Sequence, residues 1–450
     1  MPIAIPPHIR RVLNRLEARG HPAWCVGGCV RDSLLGRTPA DWDVAAQACP
    51  EEVLACFPEL PTVDTGRAHG TIGLVLPQGL VEVTAFRTDG PYSGHRRPES
   101  VRYAAAIEED LARRDFTVNA MAWHPERGLR DPFGGRADLE SGLLRCVGEP
   151  VRRFEEDALR ILRLLRFAAV LGFAIHPAAQ AAACQCRELL ACLSPERVRE
   201  ELSKLLCGPA AARVLEENAA LLFAALPELE PLSRCAQESP YHCWDAWGHS
   251  LRALEAAPAA PIDRWAALLH DCGKPAVKTY GPDGLAHFYG HAQAGVELAG
   301  ALLSRLRFPN REREAILALV ELHGQVLPLS EKRLKKLLAR LGPQGFERLL
   351  GLMRADVLAQ APHLASGRLP LIVQAQREAE AVLARGDCLT VRDLALRGGD
   401  LLALGVPPGP RLGRTLNRLL DEVLAGTLAN EKPGLTARAK ELLEEDPIHM

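Results

Sequence analysis

The chain of 450 residues contains no run of about 18 uninterrupted apolar residues, the length an α-helix needs to cross a bilayer, so no membrane span is expected. Charge of one sign is also missing, the formal net charge being −2. That near-balance conceals a local basic patch rather than excluding one, so contact with nucleic acid has to be read from where the arginines sit. The first residues, Met1-Pro2-Ile3-Ala4-Ile5-Pro6-Pro7-His8, lack an apolar core of signal-peptide length before Arg10-Arg11 interrupts them. The 13 cysteines follow no repeating spacing. Cys25-x-x-x-Cys29 and Cys184-x-Cys186 have no second pair at zinc-site spacing, so free thiols in a reducing cytosol are expected in place of a structural zinc. Internal repeats and low-complexity tracts are absent as well. A cytoplasmic protein with packed cores is the expectation.

Hydrophobic residues make up 48% of the chain and charged residues 24%, ordinary for a globular protein, and the length suggests two to four domains. Ile9, Val12, Leu13 and Leu16 recur at three- and four-residue spacing, which predicts an amphipathic helix within residues 1–21. Short strands are predicted at 24–27, 42–46, 70–76 and 80–87, with a helix at 50–56 between them, a mixture that indicates a small α+β head. From about Arg152 the pattern changes to Ala/Leu/Arg/Glu segments that predict helices at 152–171, 177–191, 195–207 and 209–218, then repeatedly to the end. Pro227, Pro231 and Pro240 mark one boundary, and Ser366-Gly367-Arg368 a second. Gly398-Gly399 and Pro407-Pro408-Gly409-Pro410 read as a helix–loop–helix connection. The expected domains are 1–145, 146–235, 236–365 and 366–450.

Within the head, Gly27-Gly28-Cys29-Val30-Arg31-Asp32 carries a paired glycine, which lets backbone approach a phosphate closely because no Cβ stands in the way. Asp41-Trp42-Asp43 follows, and alternation along a strand puts Asp41 and Asp43 on one face. Two carboxylates side by side repel unless a cation lies between them. A phosphate loop beside a carboxylate pair for divalent metal is the equipment for nucleotidyl transfer. Val81-Glu82-Val83-Thr84-Ala85-Phe86-Arg87 alternates like a strand and offers Glu82 as a third acid. Arg113-Arg114-Asp115-Phe116-Thr117-Val118-Asn119-Ala120 groups two cations, a carboxylate and an amide. Asp131-Pro132-Phe133-Gly134-Gly135 then turns the chain toward the helical region.

There, Phe154-Glu155-Glu156-Asp157-Ala158-Leu159-Arg160 opens a long helical pattern in which Arg153, Asp157 and Arg160 are spaced to share a face. A carboxylate only accepts hydrogen bonds and a guanidinium only donates them. Cytosine and adenine both present an amine beside a bare ring nitrogen, and uracil and guanine present the inverse. An Asp–Arg pair therefore suits C or A and leaves buried groups unpaired with U or G, at about 1–3 kcal/mol each. Taken alone, the segment reads as a surface helix with ion pairs. Its place directly after the other motifs favours base reading.

These motifs run in order from about residue 20 to 205 and end on Glu196-Arg197-Val198-Arg199-Glu200-Glu201-Leu202. Together they resemble the bacterial tRNA nucleotidyltransferases, or CCA-adding enzymes, of the class that also contains bacterial poly(A) polymerases. The resemblance implies an α+β fold: a polymerase-β-like head over 1–145, a helical neck over 146–235 with Glu156-Asp157-x-x-Arg160 as an amino-acid template, and helices beyond. It implies addition of CCA to the tRNA 3′ end from CTP and ATP, with pyrophosphate released. Asp41 and Asp43 are then the catalytic residues and hold Mg²⁺, with Glu82 a weaker candidate. The nucleotide-binding candidates are Gly27, Gly28, Arg31, Arg113, Arg114, Asp115, Asn119, Asp157, Arg160 and Arg163. The polar segment 88–101, expected to be mobile, resembles the family's flexible loop, which helps switch from C to A addition; Gly94 stands where the family usually has Asp. The arginine row Arg160, Arg163 and Arg166 and the helical tail would contact tRNA by shape and phosphate.

Residues 240–360 carry a second constellation: His249, His270-Asp271-Cys272-Gly273-Lys274-Pro275, His287, His291, His323 and Asp356. Imidazole with carboxylate suits Mg²⁺, Mn²⁺, Ni²⁺ or Fe²⁺, and the apolar helix at 265–269 would hold the His-Asp pair rigidly. This part resembles the HD phosphohydrolase superfamily. The resemblance implies His249, His270, Asp271 and His291 as metal ligands; His323 and Asp356 are further candidates and His287 the weakest. It implies phosphatase or cyclic phosphodiesterase action on RNA ends. Three alternatives stay open: a poly(A) polymerase or A-only adding enzyme, a chain whose main activity is this hydrolysis, and a catalytically silent RNA-binding protein, against which Asp41 and Asp43 weigh.

Overall fold

The computed structural model describes residues 3–90, 92–93, 97–98 and 100–445. The chain divides into two compact units, Met1–Glu230 with Arg305–Arg307, and Pro231–Ser304 with Phe308–Met450.

The first unit begins with the helix Pro7–Ala18. Proline occupies its first position, where a missing N–H costs nothing, and Ile9, Val12, Leu13 and Leu16 bury one face. A seven-stranded mixed sheet follows, in the spatial order Gly128–Arg130, Ala122–His124, Ala23–Val26, Asp43–Ala46, Gly79–Ala85, Thr71–Leu76, Thr62–Val63. Every residue of Ala23–Val26 is buried, as suits a central strand covered on both faces. One core of this sheet gathers Trp24, Val26, Ala45, Phe86, Ile107, Leu111 and Val147. Arg87–Asp89 pairs with Val101–Tyr103. Several residues between these strands, Gly94 included, lie outside the described residues, so the expected mobility of 88–101 goes untreated.

Helices then take over, as expected of an α+β chain. Pro150–Glu156, Leu159–Leu171, Pro177–Gln185, Pro195–Leu206, Ala211–Glu217 and Ala219–Ala225 make the rest of the first unit. Leu159–Leu171 packs on Pro195–Leu206 and stops at Gly172, whose positive φ of 77° ends the helix.

The second unit is built from the helices Ala246–Ala256, Pro261–Leu269, His291–Arg305, Asn310–Leu322, Glu331–Ala359 and Pro362–Ala384, followed by Gly398–Ala403, Pro410–Leu424 and Lys432–Glu445. The last group closes a small core of its own around Leu394, Leu401, Leu419, Leu435 and Leu442. The boundary expected near Ser366-Gly367-Arg368 falls inside the continuous helix Pro362–Ala384. A single internal glycine costs only about 1 kcal/mol, which a packed helix absorbs. No helix among the described residues is long and apolar enough to cross a membrane.

Candidate active site

The sheet brings the sequence motifs of the head to one end. Antiparallel pairing sets Val26 opposite Asp43 and Ala122, while parallel pairing sets Glu82 opposite Asp43. The Gly27-Gly28 turn, the Asp43 carboxylate and the segment leading into Ala122 therefore converge. Gly27 has φ +75°, and a Cβ there would come within 2.6 Å of the Arg114 guanidinium. Glycine satisfies both constraints without strain.

A cavity of about 610 Å³ opens at this point. Its wall contains Gly27, Gly28, Arg31, Asp41, Asp43, Arg113, Arg114, Asp115, Asn119, Asp157, Arg160 and Arg163 from the predicted set. Leu159, Arg166, Phe167, Arg197, Glu201 and Lys204 complete it. Glu82 keeps its register beside Asp43 but is not part of the wall. The strand begins at Asp43, so Asp41 sits in the loop ahead of it and is exposed. Cations outnumber carboxylates along the wall, which favours a polyanionic ligand.

Most of those cations are anchored from behind. Arg113 and Arg114 share the buried Asp110, at 2.7 and 3.2 Å. Arg31 donates to Asn119 Oδ1 at 2.6 Å, and the Asn119 amide donates to Asp115 at 3.2 Å. Asp115 also takes Arg163 at 2.6 Å. Burial raises the Asp115 carboxyl, but the charge and hydrogen bonds of Arg163, with Asn119 and Arg160, hold it at about 2. Asp43 goes the other way. Burial raises it, Arg114 opposes, and the neighbouring Glu82 and Asp41 carboxylates add to the rise.

The template segment departs from expectation. The helix predicted over 152–171 is broken: Pro150–Glu156 ends at Asp157, which is extended at φ −140° and ψ 105°, and a new helix starts at Leu159. At the break the Asp157 Oδ1 accepts the Leu159 N–H at 3.1 Å, the i→i+2 bond of an Asx turn. Arg153 is not part of this cavity's wall; it lines a different cavity with Arg102 and Arg152, and meets Arg160 on Glu156 Oε2, at 3.1 and 2.7 Å respectively. Asp157 is held by Arg197 at 2.8 Å, while Arg160 donates to Glu156 at 2.7 Å and to the carbonyl of Arg113 at 2.9 Å. The two groups proposed to read a base therefore face the same cavity but are tied to different partners.

The second unit holds a compact His/Asp cluster. His249 Nε2 lies 3.2 Å from His270 Nε2 and 2.9 Å from Asp356, and His291 Nε2 lies 3.1 Å from His323 Nε2. Asp271 stands between the pairs, with Oδ2 at 3.3 and 3.2 Å from His249 and His270, and Oδ1 at 3.6 and 3.7 Å from His291 and His323. All four Nδ1 atoms face backbone carbonyls, of Ala359, Ala267, Phe288 and Val320. An Nδ1–H donated to a carbonyl makes Nε2 the atom each of the four rings presents to Asp271, as a lone pair wherever the imidazole is neutral. Gly273 permits this approach, since a Cβ there would lie 2.2 Å from the His291 carbonyl. Burial opposes charge on His270, but Asp271 and Asp356 outweigh it and push the imidazole up to about 10. His249, His270 and Asp271 form one set, and Asp271, His291 and His323 another, whose ligand atoms all lie within 4.8 Å of one another. His287 instead stacks on Tyr289 at 5.3 Å.

Comparison with known proteins bears on both units. A family model described as the poly A polymerase head domain matches residues 23–145. One for an RNA- and SrmB-binding site of polymerase A matches 172–232, and one for tRNA nucleotidyltransferase domain 2 matches 288–439. The CCA-adding enzyme of Geobacillus stearothermophilus is 35% identical over 434 residues, which cover 95% of this chain and 94% of that protein. The chain belongs to the CCA-adding enzyme family.

The CCA-adding enzyme of Limosilactobacillus fermentum is likewise 35% identical, over 97% of this chain and 96% of its own. Among solved structures, the Bacillus stearothermophilus CCA-adding enzyme in complex with CTP superposes with a TM-score of 0.73 at 31% identity, covering 98% of this chain and 99% of that one. As a CCA-adding family member the protein is a nucleotidyltransferase. Some wall residues of this nucleotidyltransferase were not singled out as site residues from sequence. Arg166 extends the three-residue spacing of Arg160 and Arg163, a row that from sequence points to tRNA contact. Arg197 and Glu201 lie in the last motif at a four-residue spacing, yet nothing local says that this face turns to the cavity. Phe167 closes the motif that opens at Phe154 but reads there as a core residue, and Lys204 carries no signal.

Proposed function

We propose that this protein adds or repairs the 3′-terminal CCA of tRNA, taking CTP and ATP as donors and releasing pyrophosphate. The observation that carries this reading is the single cavity whose wall holds Asp41 and Asp43, the Gly27-Gly28 turn, a bank of arginines, and Asp157 with Arg160. The triphosphate is read as lying against Gly27 and Gly28 and the guanidinium groups of Arg31, Arg114 and Arg163. Arg113, Asp115 and Asn119 hold that bank in place through the hydrogen bonds described above. Asp157 accepts from the exocyclic amine of C or A and Arg160 donates to the adjacent ring nitrogen. Both groups then exchange their present partners for the base, and U or G leaves them unpaired.

Asp41 and Asp43 fit Mg²⁺. They are hard oxygen donors at the cavity, and Asp43 is crowded by like charge from Asp41 and from Glu82 at the facing register. Divalent ions bound there would lower the pKa of the RNA 3′-hydroxyl and neutralise the departing pyrophosphate. The remaining work of the chain is positioning, with no covalent enzyme intermediate. The assignment of 1–145 as head, 146–235 as neck, 236–365 as an HD-type domain and 366–450 as a tRNA-contacting tail belongs to the same reading. A cytoplasmic setting agrees with cysteines that are all unpaired.

The decisive test supplies tRNAs ending before the first C, after C and after CC with CTP, ATP or both, and sequences the products. Stepwise C, C, A addition that then stops is expected. Addition of A alone under every condition supports the poly(A) or A-only alternative.

A second reading is favoured by the four Nε2 atoms gathered around Asp271. This unit is read as an HD-type phosphohydrolase acting on RNA ends, with Mg²⁺ or a divalent transition metal held by His249, His270, Asp271 and His291, and with His323 and Asp356 beside them. Elemental analysis together with hydrolysis of a phosphodiester substrate tests it; a protein that neither binds metal here nor hydrolyses leaves the cluster a structural one.

A further inference from the structure

We propose that Phe167 is the positioning residue that gathers Arg31 and Arg163, two of the triphosphate-binding arginines, together with Arg166, an inference that rests on the nucleotide-addition reading above. Phe167 belongs to the helix Leu159–Leu171 and is only 5% exposed. Three guanidinium groups stand over its ring, Arg166 at 4.0 Å, Arg31 at 5.1 Å and Arg163 at 5.3 Å from the centroid. They reach it from two elements, Arg31 from the helix Gly28–Leu34 and the others from Phe167's own helix. The ring is itself fixed edge-on by Phe116, at 5.8 Å and 81°. Phe116 directly follows Asp115, the carboxylate that anchors Arg163. The ring thus ties the glycine-turn helix to the neck helix at the floor of the cavity.

Three like charges crowded at one wall repel, and each needs compensation that does not consume its function. Each has one acidic partner: Asp32 for Arg31, Asp115 for Arg163 and Glu201 for Arg166. A carboxylate compensates charge but occupies N–H donors in the plane of the guanidinium. An aromatic face attracts the cation from above the ring and leaves the in-plane N–H groups free. Cations stacked on Phe167 can therefore still donate to phosphate oxygens. An aliphatic side chain of similar size fills the same space yet has no quadrupole, so the guanidinium groups lose their common seat. Ordinary core packing asks only for a hydrophobe here; the three cations ask for a ring.

The test compares Phe167→Leu and Phe167→Tyr in the full chain. CTP and ATP incorporation into tRNA, thermal unfolding and titration with inorganic tripolyphosphate are measured in parallel. Leucine is expected to raise KM for both nucleotides about tenfold and to weaken tripolyphosphate by the same factor, with kcat within about twofold. Tyrosine keeps the ring and is expected to restore both to within about threefold of the parent. Should the leucine variant fail to fold, Phe167→Met is read in the same way. A leucine variant that melts earlier with KM and tripolyphosphate affinity unchanged, or a tyrosine variant that restores neither, overturns the proposal. A parent protein that binds tripolyphosphate, and binds it less well as the leucine variant, but incorporates no nucleotide supports the role of Phe167 and sinks the polymerase reading instead.

Discussion

In the first unit, charge is spread along a wall about a wide cavity, and nearly every cation there is braced from behind by a carboxylate, as Arg113 and Arg114 are by Asp110 and Arg163 is by Asp115. In the second unit's cluster the groups are few and pressed together: four imidazoles, two carboxylates and the Lys274 ammonium, 2.6 Å from Asp271, with His249, His270, Asp271 and Lys274 almost wholly buried. The first arrangement leaves N–H donors facing a space large enough for a nucleotide. The second gathers imidazole nitrogens and carboxylate oxygens at separations from 2.9 to 3.7 Å. A braced cationic wall suits a large anion that must arrive and leave, whereas convergent nitrogen and oxygen ligand atoms suit a small cation that stays.

That contrast can be broken at several points, starting with the largest effect. Asp43→Ala should lower nucleotide incorporation about a thousandfold or more, since several kcal/mol of charge stabilisation goes with it, while tRNA binding measured by filter retention stays nearly intact. Retained turnover would refute the assignment of metal to this carboxylate pair. Asp271→Ala removes the carboxylate common to both histidine sets. Elemental analysis should show metal lost from the second unit, with incorporation changed by no more than about twofold because the sites share no residue. A large fall in incorporation would show that the two constellations are coupled.

Arg160→Ala sharpens the comparison within the first unit. Removing one base-reading donor should erode the preference for C and A over U and G by about ten- to a hundredfold in competition assays, the equivalent of about 1–3 kcal/mol. Unchanged selectivity would assign base choice elsewhere on the wall. The smallest effect concerns bracing. Asp115→Asn should destabilise the protein by about 1–3 kcal/mol at pH 7 in urea titrations. The folded Asp115 carboxyl sits at about 2, below its unfolded value of about 3.9, so its stabilisation is complete above pH ~4 and fades as pH falls toward 2. The gap between parent and variant should hold steady from pH 7 to about 5 and narrow below about 4. A gap that widens on acidification contradicts the pairing.

The sequence was most legible where one residue carries one meaning. The glycine pair, Asp41-x-Asp43 and His270-Asp271 each state a local chemistry, and the apolar periodicity of Ile9, Val12, Leu13 and Leu16 states a helix face. The α+β head and helical remainder followed from the same patterns. What sequence could not show was competition between local signals. Asp157 reads equally as a helix-face carboxylate and as a turn former, and the backbone there is extended with an Asx turn, which leaves Arg153 outside the cavity wall. The strands Ala122–His124 and Gly128–Arg130 were too short to alternate visibly. Arg197, Glu201 and Lys204 reach the cavity only through the packing of Pro195–Leu206 on Leu159–Leu171, a tertiary fact that no spacing encodes.

The most direct measurement is a crystal structure of the protein with CTP and Mg²⁺. The account predicts the triphosphate along Gly27-Gly28 with Arg31 and Arg163 on its oxygens, metal density touching Asp41 and Asp43, and the cytosine edge against Asp157 and Arg160. Nucleotide bound away from that wall, or metal that ignores both aspartates, would contradict it.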